Sequence, residues 1–155
     1  MNTVSVWLQV TSGERTGKWV LQQRSDKNES FAFVCQPTWA GKMEEGEGIE
    51  QALRRECEEE LGKLFSDSLD FSTLVMVKKT HYARDEKMWE VYNFVGSISE
   101  ELLNKAVLSE ESCPEFIFVD KNTEIFPLNL GKDPQKHIIL FDDQFTVFYD
   151  IARSN

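Results

Sequence analysis

The chain has 155 residues, 41% of them hydrophobic, and this predicts one domain over residues 1–155 whose core needs no disulfide or structural metal. Its formal net charge of -10 argues against a nucleic-acid polymer as partner, because such binding depends on Lys and Arg neutralising phosphates. No segment approaches the roughly 20 apolar residues of a membrane span, so we expect no membrane partner. The three cysteines form no Cys-x-x-Cys pair, and we expect reduced thiols in a cytoplasmic protein.

The N-terminal part of the chain predicts strands separated by polar turns. Apolar residues alternate with others over residues 4–10, and a second extended segment covers residues 19–24. Residues 31–35 form a short apolar run that predicts a third strand. The Gly-rich, acidic residues 37–48 are expected to form a loop.

The middle of the chain contains the clearest predicted helix. Residues 49–61 lack Pro and Gly, and Gly62 follows where helices commonly end in a left-handed cap. Two long strands are predicted at residues 71–82 and 88–95, with a polar hairpin at residues 83–87 between them.

The C-terminal part predicts a short strand at residues 115–119 and then a long amphipathic helix. This helix is expected to begin with Asp133 as its N-cap and Pro134 in its first turn. Its apolar face would contain Ile138, Phe141, Phe145, Phe148 and Ala152. Strands around one central helix, with a second helix at the end, predict an α/β domain in which a mixed β-sheet lies between helices.

Three glutamates in the predicted central helix are placed to act together. Glu56, Glu59 and Glu60 project within an arc of roughly 100°, beside the apolar stripe that would face the core. Like charges repel, and partial burial makes the arrangement costlier, so a bound divalent cation would stabilise it. Oxygen ligands of this kind suit Mg²⁺ or Mn²⁺. The alternative is an ordinary solvated, charge-rich helix face.

The spacing around these glutamates favours the first interpretation. Seven residues keep fixed separations: Gly41, Glu47, Arg55, Glu56, Glu59, Glu60 and Gly62. This spacing resembles the signature of the Nudix family, which hydrolyses nucleoside diphosphates linked to a second moiety. Residues 19–24 also resemble the strand that precedes the signature in many members. The chain departs from the pattern at Cys57 and Lys63, which replace aliphatic residues, and at Ala40, where a second Gly is frequent.

The resemblance implies metal-assisted hydrolysis. By analogy with the family, Glu56, Glu59 and Glu60 would bind Mg²⁺, with Mn²⁺ as a substitute and the backbone carbonyl of Ala40 as a further ligand. The expected reaction cleaves the pyrophosphate bond of a nucleoside diphosphate derivative. Nucleoside triphosphates, dinucleoside polyphosphates and nucleotide sugars all fit this description.

The same resemblance suggests roles for residues around the metal site. Arg55 would orient a signature glutamate by a charge-assisted bond and pair with Glu47. The general base of the family is either a signature Glu or an acid from a distant loop; Glu110, Glu111 and Glu115 are the loop candidates, and we favour Glu111. The expected catalytic set is Arg55, Glu56, Glu59 and Glu111.

Substrate contacts are expected from basic and aromatic residues near the signature. Arg24 and Lys42 could bind phosphate, although either could equally be surface charge. Trp39, Trp89 and Tyr92 could stack on a nucleobase, although aromatic residues on strands more often fill a core. The predicted substrate site therefore consists of Arg24, Trp39, Gly41, Lys42, Glu47 and Trp89.

Two other functions are compatible with parts of the sequence. A Nudix-like module could bind a nucleotide without cleaving it, but such modules typically lose signature acids that this chain retains. An enzyme resembling isopentenyl diphosphate isomerase is the second alternative, because residues 22–25 and Cys35 are faintly similar to its early segment. That family's metal site uses histidines, and neither His81 nor His137 has a partner pattern that suggests catalysis. Dimers are common among Nudix relatives, so a homodimer is an open alternative to a monomer.

Overall fold

A computed structural model describes residues 1–153, so the domain expected over residues 1–155 extends two residues beyond the described part. Two short 3-10 turns, Phe71–Thr73 and Leu128–Leu130, lie between the regular elements. The strands and helices are, in chain order, β1 Asn2–Ser12, β2 Trp19–Gln23, β3 Cys35–Gln36, β4 Trp39–Lys42, α1 Ile49–Leu61, α2 Lys63–Ser68, β5 Val75–Arg84, β6 Lys87–Ser99, α3 Glu100–Leu103, β7 Ile117–Val119, β8 Ile125–Pro127, β9 Ile138–Leu140 and α4 Asp142–Arg153.

Strand β1 organises the sheet, whose strand order is β5-β6-β1-β2-β3-β9-β8. One edge of β1 pairs in parallel with β6, and the other edge is shared by β4 and β2, both antiparallel to it. We call the point where β2 and β4 diverge along β1 the fork. The buried hydroxyl of Thr38 bridges the fork: it accepts from the Leu8 N–H at 3.0 Å and donates to the Val20 carbonyl at 2.6 Å. At the fork the two strands are separated, and α1 lies beside this gap.

The two faces of the sheet bury separate cores because side chains alternate along β1. Val4, Val6 and Leu8 pack towards α1, in a cluster that includes Leu53 of that helix. Trp7 points to the opposite face, where it packs on α4 with Phe148 at 5.3 Å between ring centroids. The fold is therefore the predicted α/β arrangement, with a mixed sheet between helices.

The bounds of α1 match the prediction, but several neighbouring predictions were wrong. The strand expected at residues 31–35 begins only at Cys35, because Phe31 and Phe33 have φ of 58° and 69°, which a strand does not allow. Phe31 instead packs edge-on against Phe141. The loop expected at residues 37–48 contains strand β4. Gly62 ends α1 with positive φ but with ψ of 160°, so the cap is not left-handed.

Four other predicted elements differ in their limits. β2 stops at Gln23, one residue early, and β7 begins at Ile117 instead of 115. The strand expected to start at residue 71 starts at Val75, because Phe71–Thr73 forms a 3-10 turn, and its partner continues past residue 95 to Ser99. The hairpin between them is a tight turn in which two residues have positive φ, Asp85 and Glu86.

The C-terminal helix begins at Asp142, eight residues after the predicted first helical position, Pro134. Asp133 closes a turn, in which its side chain accepts from the Gln135 N–H at 2.9 Å, and it caps no helix. Ile138 lies in β9, which pairs in parallel with β8 and with β3, and Phe141 precedes α4. The β-branched residues of this segment pair in the sheet, although their spacing with later apolar residues imitates a helix.

Within residues 1–153, the helices are all too short or too polar to cross a lipid bilayer.

Candidate active site

Helix α1 brings two acids together against β2 and β4. Glu56 and Glu60 are one turn of the helix apart, and their carboxyl groups are close enough for each to affect the pKa of the other. Burial raises the pKa of Glu60 well above its ordinary value, although the Gln22 amide and the Ala40 N–H lower it again, and Glu56 raises it further. Burial also raises the pKa of Glu56, with Arg55 acting against it. Two adjacent carboxyl groups in a desolvated position are a charge arrangement that favours a bound cation or a shared proton.

Strand β4 passes directly beneath this acid pair at Gly41. A Cβ atom at this position would lie 2.0 Å from Cδ of Glu56 and 2.2 Å from its Oε2. Such separations do not occur between non-bonded atoms, so the absence of a side chain at Gly41 creates the space that the Glu56 carboxylate occupies. The glycine is needed for close approach and not for an unusual backbone conformation.

Arg55 joins the acidic loop to the helix. Its guanidinium donates two bonds to Glu47, from Nε at 2.7 Å and from Nη2 at 2.9 Å, and a third to Oε1 of Glu56 at 2.8 Å. Nη2 also donates to the Lys42 carbonyl at 2.8 Å. The hydrogen bonds from Arg55 hold the pKa of Glu47 at about 2. Arg55 therefore fixes one side of the Glu56 carboxylate and anchors the end of β4.

Glu59 lies on the exposed side of the predicted patch of three carboxylates. Its side chain is 57% exposed, and its oxygens lie 3.4 Å from Nη1 of Arg55, the same nitrogen that donates to Glu56. Burial raises the pKa of Glu56 most strongly, and the Glu59 charge raises it further. In the described part of the chain, no three His, Cys, Asp or Glu side chains converge as a metal site. Glu56 and Glu60 are therefore the less exposed acids of this patch, and Glu59 stays a predicted ligand.

A cavity of about 730 Å³ lies beside strand β4. Ala40 and Gly41 form part of its wall, so the strand that supports Glu56 also lines the cavity, although the two acids themselves do not. This volume falls within the range of about 300–1,000 Å³ that is usual for small-molecule sites. Strand β4 thus connects two acids that could hold a cation to a space that could hold a nucleotide.

Comparison with known proteins identifies the family of this chain. The family model described as the NUDIX domain matches residues 1–137. The chain belongs to the Nudix family. A comparison with curated proteins found no match.

Solved structures share the fold of this Nudix protein at low sequence identity. The MutT protein from Methanosarcina mazei Go1 has a TM-score of 0.61 and 19% identity, over 99% of this chain and 93% of that chain. The Nudix domain of NrtR from Shewanella oneidensis, solved with ADP ribose, has a TM-score of 0.62 and 15% identity, over 99% and 86%. The dihydroneopterin triphosphate pyrophosphohydrolase of E. coli has a TM-score of 0.55 and 19% identity, over 76% and 79%. At these identities the likeness concerns the fold alone.

Four of the predicted substrate residues of the Nudix protein line the cavity: Arg24, Gly41, Lys42 and Trp89. Trp89 stacks on Tyr82 with 6.0 Å between ring centroids and an interplanar angle of 5°. The ammonium group of Lys42 lies 4.8 Å from the centroid of the Trp89 ring. Because Tyr82 and Lys42 already contact this ring, Trp89 forms a wall of the cavity that a base could reach only by displacing one of them.

Neither Trp39 nor Tyr92 lies in the cavity wall, contrary to the base-stacking positions that the sequence suggested. Trp39 is buried in the core beside α1, where its Nε1 donates to the Leu53 carbonyl at 3.1 Å, because β4 pairs with β1 and turns the ring inwards. Tyr92 packs against the same core, and its hydroxyl donates to Glu90. Neither His81 nor His137 lines the cavity.

Among the cavity residues that the sequence did not indicate are Arg84, Asp143 and Gln144. Arg84 is the last residue of β5; burial lowers the pKa of Arg24, and the charge of Arg84 lowers it further. Burial raises the pKa of Asp143, at the start of α4. The sequence predicted a hairpin at Arg84. Nothing in the neighbouring sequence indicates that an arginine in a hairpin would line a cavity.

The loop acids lie on the Arg24 side of the site. The backbone carbonyl of Glu111 accepts from the Ser25 N–H at 2.9 Å, and the Glu111 carboxylate raises the pKa of Arg24. Glu110 forms an exposed ion pair with Lys27 at 3.3 Å, and Glu115 is exposed. None of these three acids lines the cavity, so Glu111 as general base stays a prediction.

The Glu47–Arg55 pair should make stability depend on pH. The folded-state pKa of Glu47, about 2, is below its ordinary value of 4.5, so the stabilisation is complete above about pH 4.5 and is lost as the pH falls towards 2. We expect Glu47→Gln to lower the urea midpoint of unfolding at pH 7, and the difference from the wild type to shrink below pH 4.5. Glu45→Gln, in the same loop, should show no such trend. If the urea midpoints of the wild type and Glu47→Gln differed by the same amount from pH 7 to pH 3, this account would be contradicted.

Proposed function

We propose that this Nudix protein is a Mg²⁺-dependent hydrolase that cleaves the pyrophosphate bond of a nucleoside diphosphate derivative. One observation carries the proposal: the half-buried Glu56–Glu60 pair, within a signature whose seven fixed residues are all present, lies against the strand that lines the cavity. A purely structural pair of carboxyl groups at this position would cost free energy without a compensating function.

The acid pair fits a divalent cation by its chemistry. The donors are carboxylate oxygens, which suit Mg²⁺ and Mn²⁺ better than softer metals. Glu56 and Glu60 would hold the ion, with the Ala40 carbonyl and a reoriented Glu59 as further ligands. When bound, Mg²⁺ neutralises charge on the phosphate oxygens and lowers the pKa of a coordinated water.

Each step of the proposed reaction is assigned to residues of the chain. Arg24 and Lys42 bind phosphate oxygens as charge-assisted donors. Arg55 keeps the Glu56 carboxylate in place. Glu111 accepts a proton from the attacking water, whose oxygen forms a bond to phosphorus while the bridging P–O bond breaks. The products are a nucleoside monophosphate and a second phosphate-bearing fragment.

A substrate panel with Mg²⁺ tests the proposal directly. It should include nucleoside triphosphates, dinucleoside polyphosphates and nucleotide sugars. ADP ribose and dihydroneopterin triphosphate should be added, because one structural neighbour was solved with ADP ribose and another is a dihydroneopterin triphosphate pyrophosphohydrolase. Product analysis by mass spectrometry in ¹⁸O-labelled water identifies the phosphorus that is attacked. We expect one class to be cleaved with ¹⁸O in a phosphate product. No cleavage across the panel, with tight binding of one compound, would instead establish the non-catalytic nucleotide-binding module.

The Arg84 side chain should contribute to substrate binding. Arg24 and Arg84 line one cavity, and two guanidinium groups in proximity repel unless an anion lies between them. We expect Arg84→Gln to raise KM about tenfold with kcat changed less than about twofold, the pattern of lost uniform binding. Lys87→Gln, which removes a cation from the same hairpin outside the cavity wall, is the control. Equal KM values for wild type and Arg84→Gln would exclude the role.

The remaining properties of the protein are proposed from the same considerations. We infer that the chain forms one functional domain. Its ligand is a small nucleotide and not a nucleic-acid polymer, because a net charge of -10 repels polyanions. The three cysteines are free thiols, two of them buried, which is compatible with a reducing cytoplasm. A homodimer is proposed only by analogy with the family, and sedimentation analysis would test it.

A further inference from the structure

Gln22 is a polar residue with an unusual position, since its side chain lies in the interior of the sheet where only 3% of the residue is exposed. Its amide nitrogen donates to the Thr38 carbonyl at 2.6 Å and to Oε1 of Glu60 at 2.9 Å. Its amide oxygen accepts from the Ser112 hydroxyl. Both amide hydrogens and the oxygen are thus bonded, and a flipped amide would place its oxygen against the Thr38 carbonyl oxygen.

Each partner of Gln22 belongs to a different part of the site. Thr38 is the residue that bridges the fork between β2 and β4. Glu60 is half of the acid pair, on α1. Ser112 lies in the loop after Glu111, and this loop is attached to the end of β2, where Ser112 and Arg24 form an isolated bridge. Gln22 is therefore the side chain through which loop, sheet and helix meet.

The bond from Gln22 determines how Glu60 is presented. Because the amide donates to Oε1, it fixes the rotation of the Glu60 carboxylate beside Glu56. This resembles the way in which hydrogen bonds around metal sites orient a ligating carboxylate and set its affinity. The link to Ser112 also fixes the loop of Glu111 relative to the same carboxylate.

We propose that Gln22 is a positioning residue, which orients the Glu60 carboxylate for cation binding and connects it to the loop of Glu111. The proposal rests on the proposed function, because it assumes that Glu60 takes part in cation binding. It adds a residue outside the Nudix signature, on the strand that precedes it, whose effect is exerted entirely through Glu60 and Ser112.

The test compares Gln22→Met with Gln23→Met. The two substitutions remove neighbouring amides of one strand, and Gln23 donates only to the Phe33 carbonyl at 3.1 Å, away from the acids. The first measurement is the affinity of the substrate-free protein for Mn²⁺, determined by electron paramagnetic resonance. We expect Gln22→Met to bind Mn²⁺ at least about tenfold more weakly than the wild type, and Gln23→Met to bind it equally. On the cleaved substrate, Gln22→Met should lose kcat by a similar factor with little change in KM.

A double-mutant cycle separates positioning from general structural damage. If Gln22 acts through Glu60, Gln22→Met should have almost no further effect on Mn²⁺ binding in a Glu60→Gln background, whereas independent damage would add. Should Gln22→Met fail to fold, Gln22→Asn takes its place, because that amide is one methylene too short to reach Glu60 and the same loss is expected.

The outcomes distinguish this inference from the proposed function. Wild-type affinity for Mn²⁺ in Gln22→Met or Gln22→Asn, while the wild type binds Mn²⁺ and cleaves its substrate, would overturn the positioning role alone. A wild-type protein that neither takes up Mn²⁺ nor cleaves any compound would overturn the function and the positioning role together.

Discussion

Replacement of Glu60 by Gln should lower kcat by at least ~100-fold while the fold is retained, since a charged metal ligand is lost. Gln has almost the shape of Glu and can still accept a hydrogen bond from Gln22, so the packing around α1 changes little. In metal-free protein the variant should unfold at the same temperature or higher, because a buried carboxyl group beside Glu56 is removed. Steady-state kinetics and thermal unfolding with and without Mg²⁺ provide the measurements.

Glu58→Gln is the matched control for this experiment. Glu58 lies on the same helix two residues before Glu60, and its exposed carboxylate is 4.0 Å from Lys63. Its replacement removes one negative charge from α1 without altering the acid pair, so kcat should stay within about twofold of the wild type. If Glu60→Gln were as active as Glu58→Gln, the acid pair would not be part of the reaction centre.

The acid pair was predictable because its geometry is local. The bounds of α1 follow from helix propensity and from the glycines that flank it, and the spacing of Glu56 and Glu60 by four residues places them on one face whatever the helix packs against. The position of Glu59 was not predictable in the same way. Its direction depends on Arg55, whose other contacts, with Glu47 and the Lys42 carbonyl, form only when the acidic loop folds against the helix.

The substrate side of the site depends on contacts between distant segments. Trp39 stands among glycines and polar residues, and only its pairing with Val6 of β1 turns the ring into the core. Arg84, Asp143 and Gln144 reach the cavity from a hairpin and from the start of α4, and nothing in their local sequence links them to Arg24. Sequence periodicity also failed near Ile138, where pairing with β8 outweighs an apparent helical repeat.

Replacement of Gly41 by Ala should lower kcat by about 100-fold, because a misplacement of about 1 Å in a reacting group can cost this much. The φ of Gly41 is not positive, so the backbone accepts an alanine, and the effect arises from the side chain alone. The new methyl group would lie 2.0 Å from Cδ of Glu56, which Arg55 holds from the other side. Overpacking of this kind typically costs about 1–3 kcal/mol, which urea unfolding would detect.

The informative comparison is with Gly48→Ala, which adds the same methyl group at the start of α1. There the nearest heavy atom lies 3.6 Å away, so activity should be unchanged. A Gly41→Ala protein that is destabilised yet fully active would show that the Glu56 carboxylate can move without consequence. A loss of activity larger than the loss of folded protein would mean that Gly41 is required for the position of that carboxylate, and this would explain why a glycine stands six residues before Glu47 in the signature.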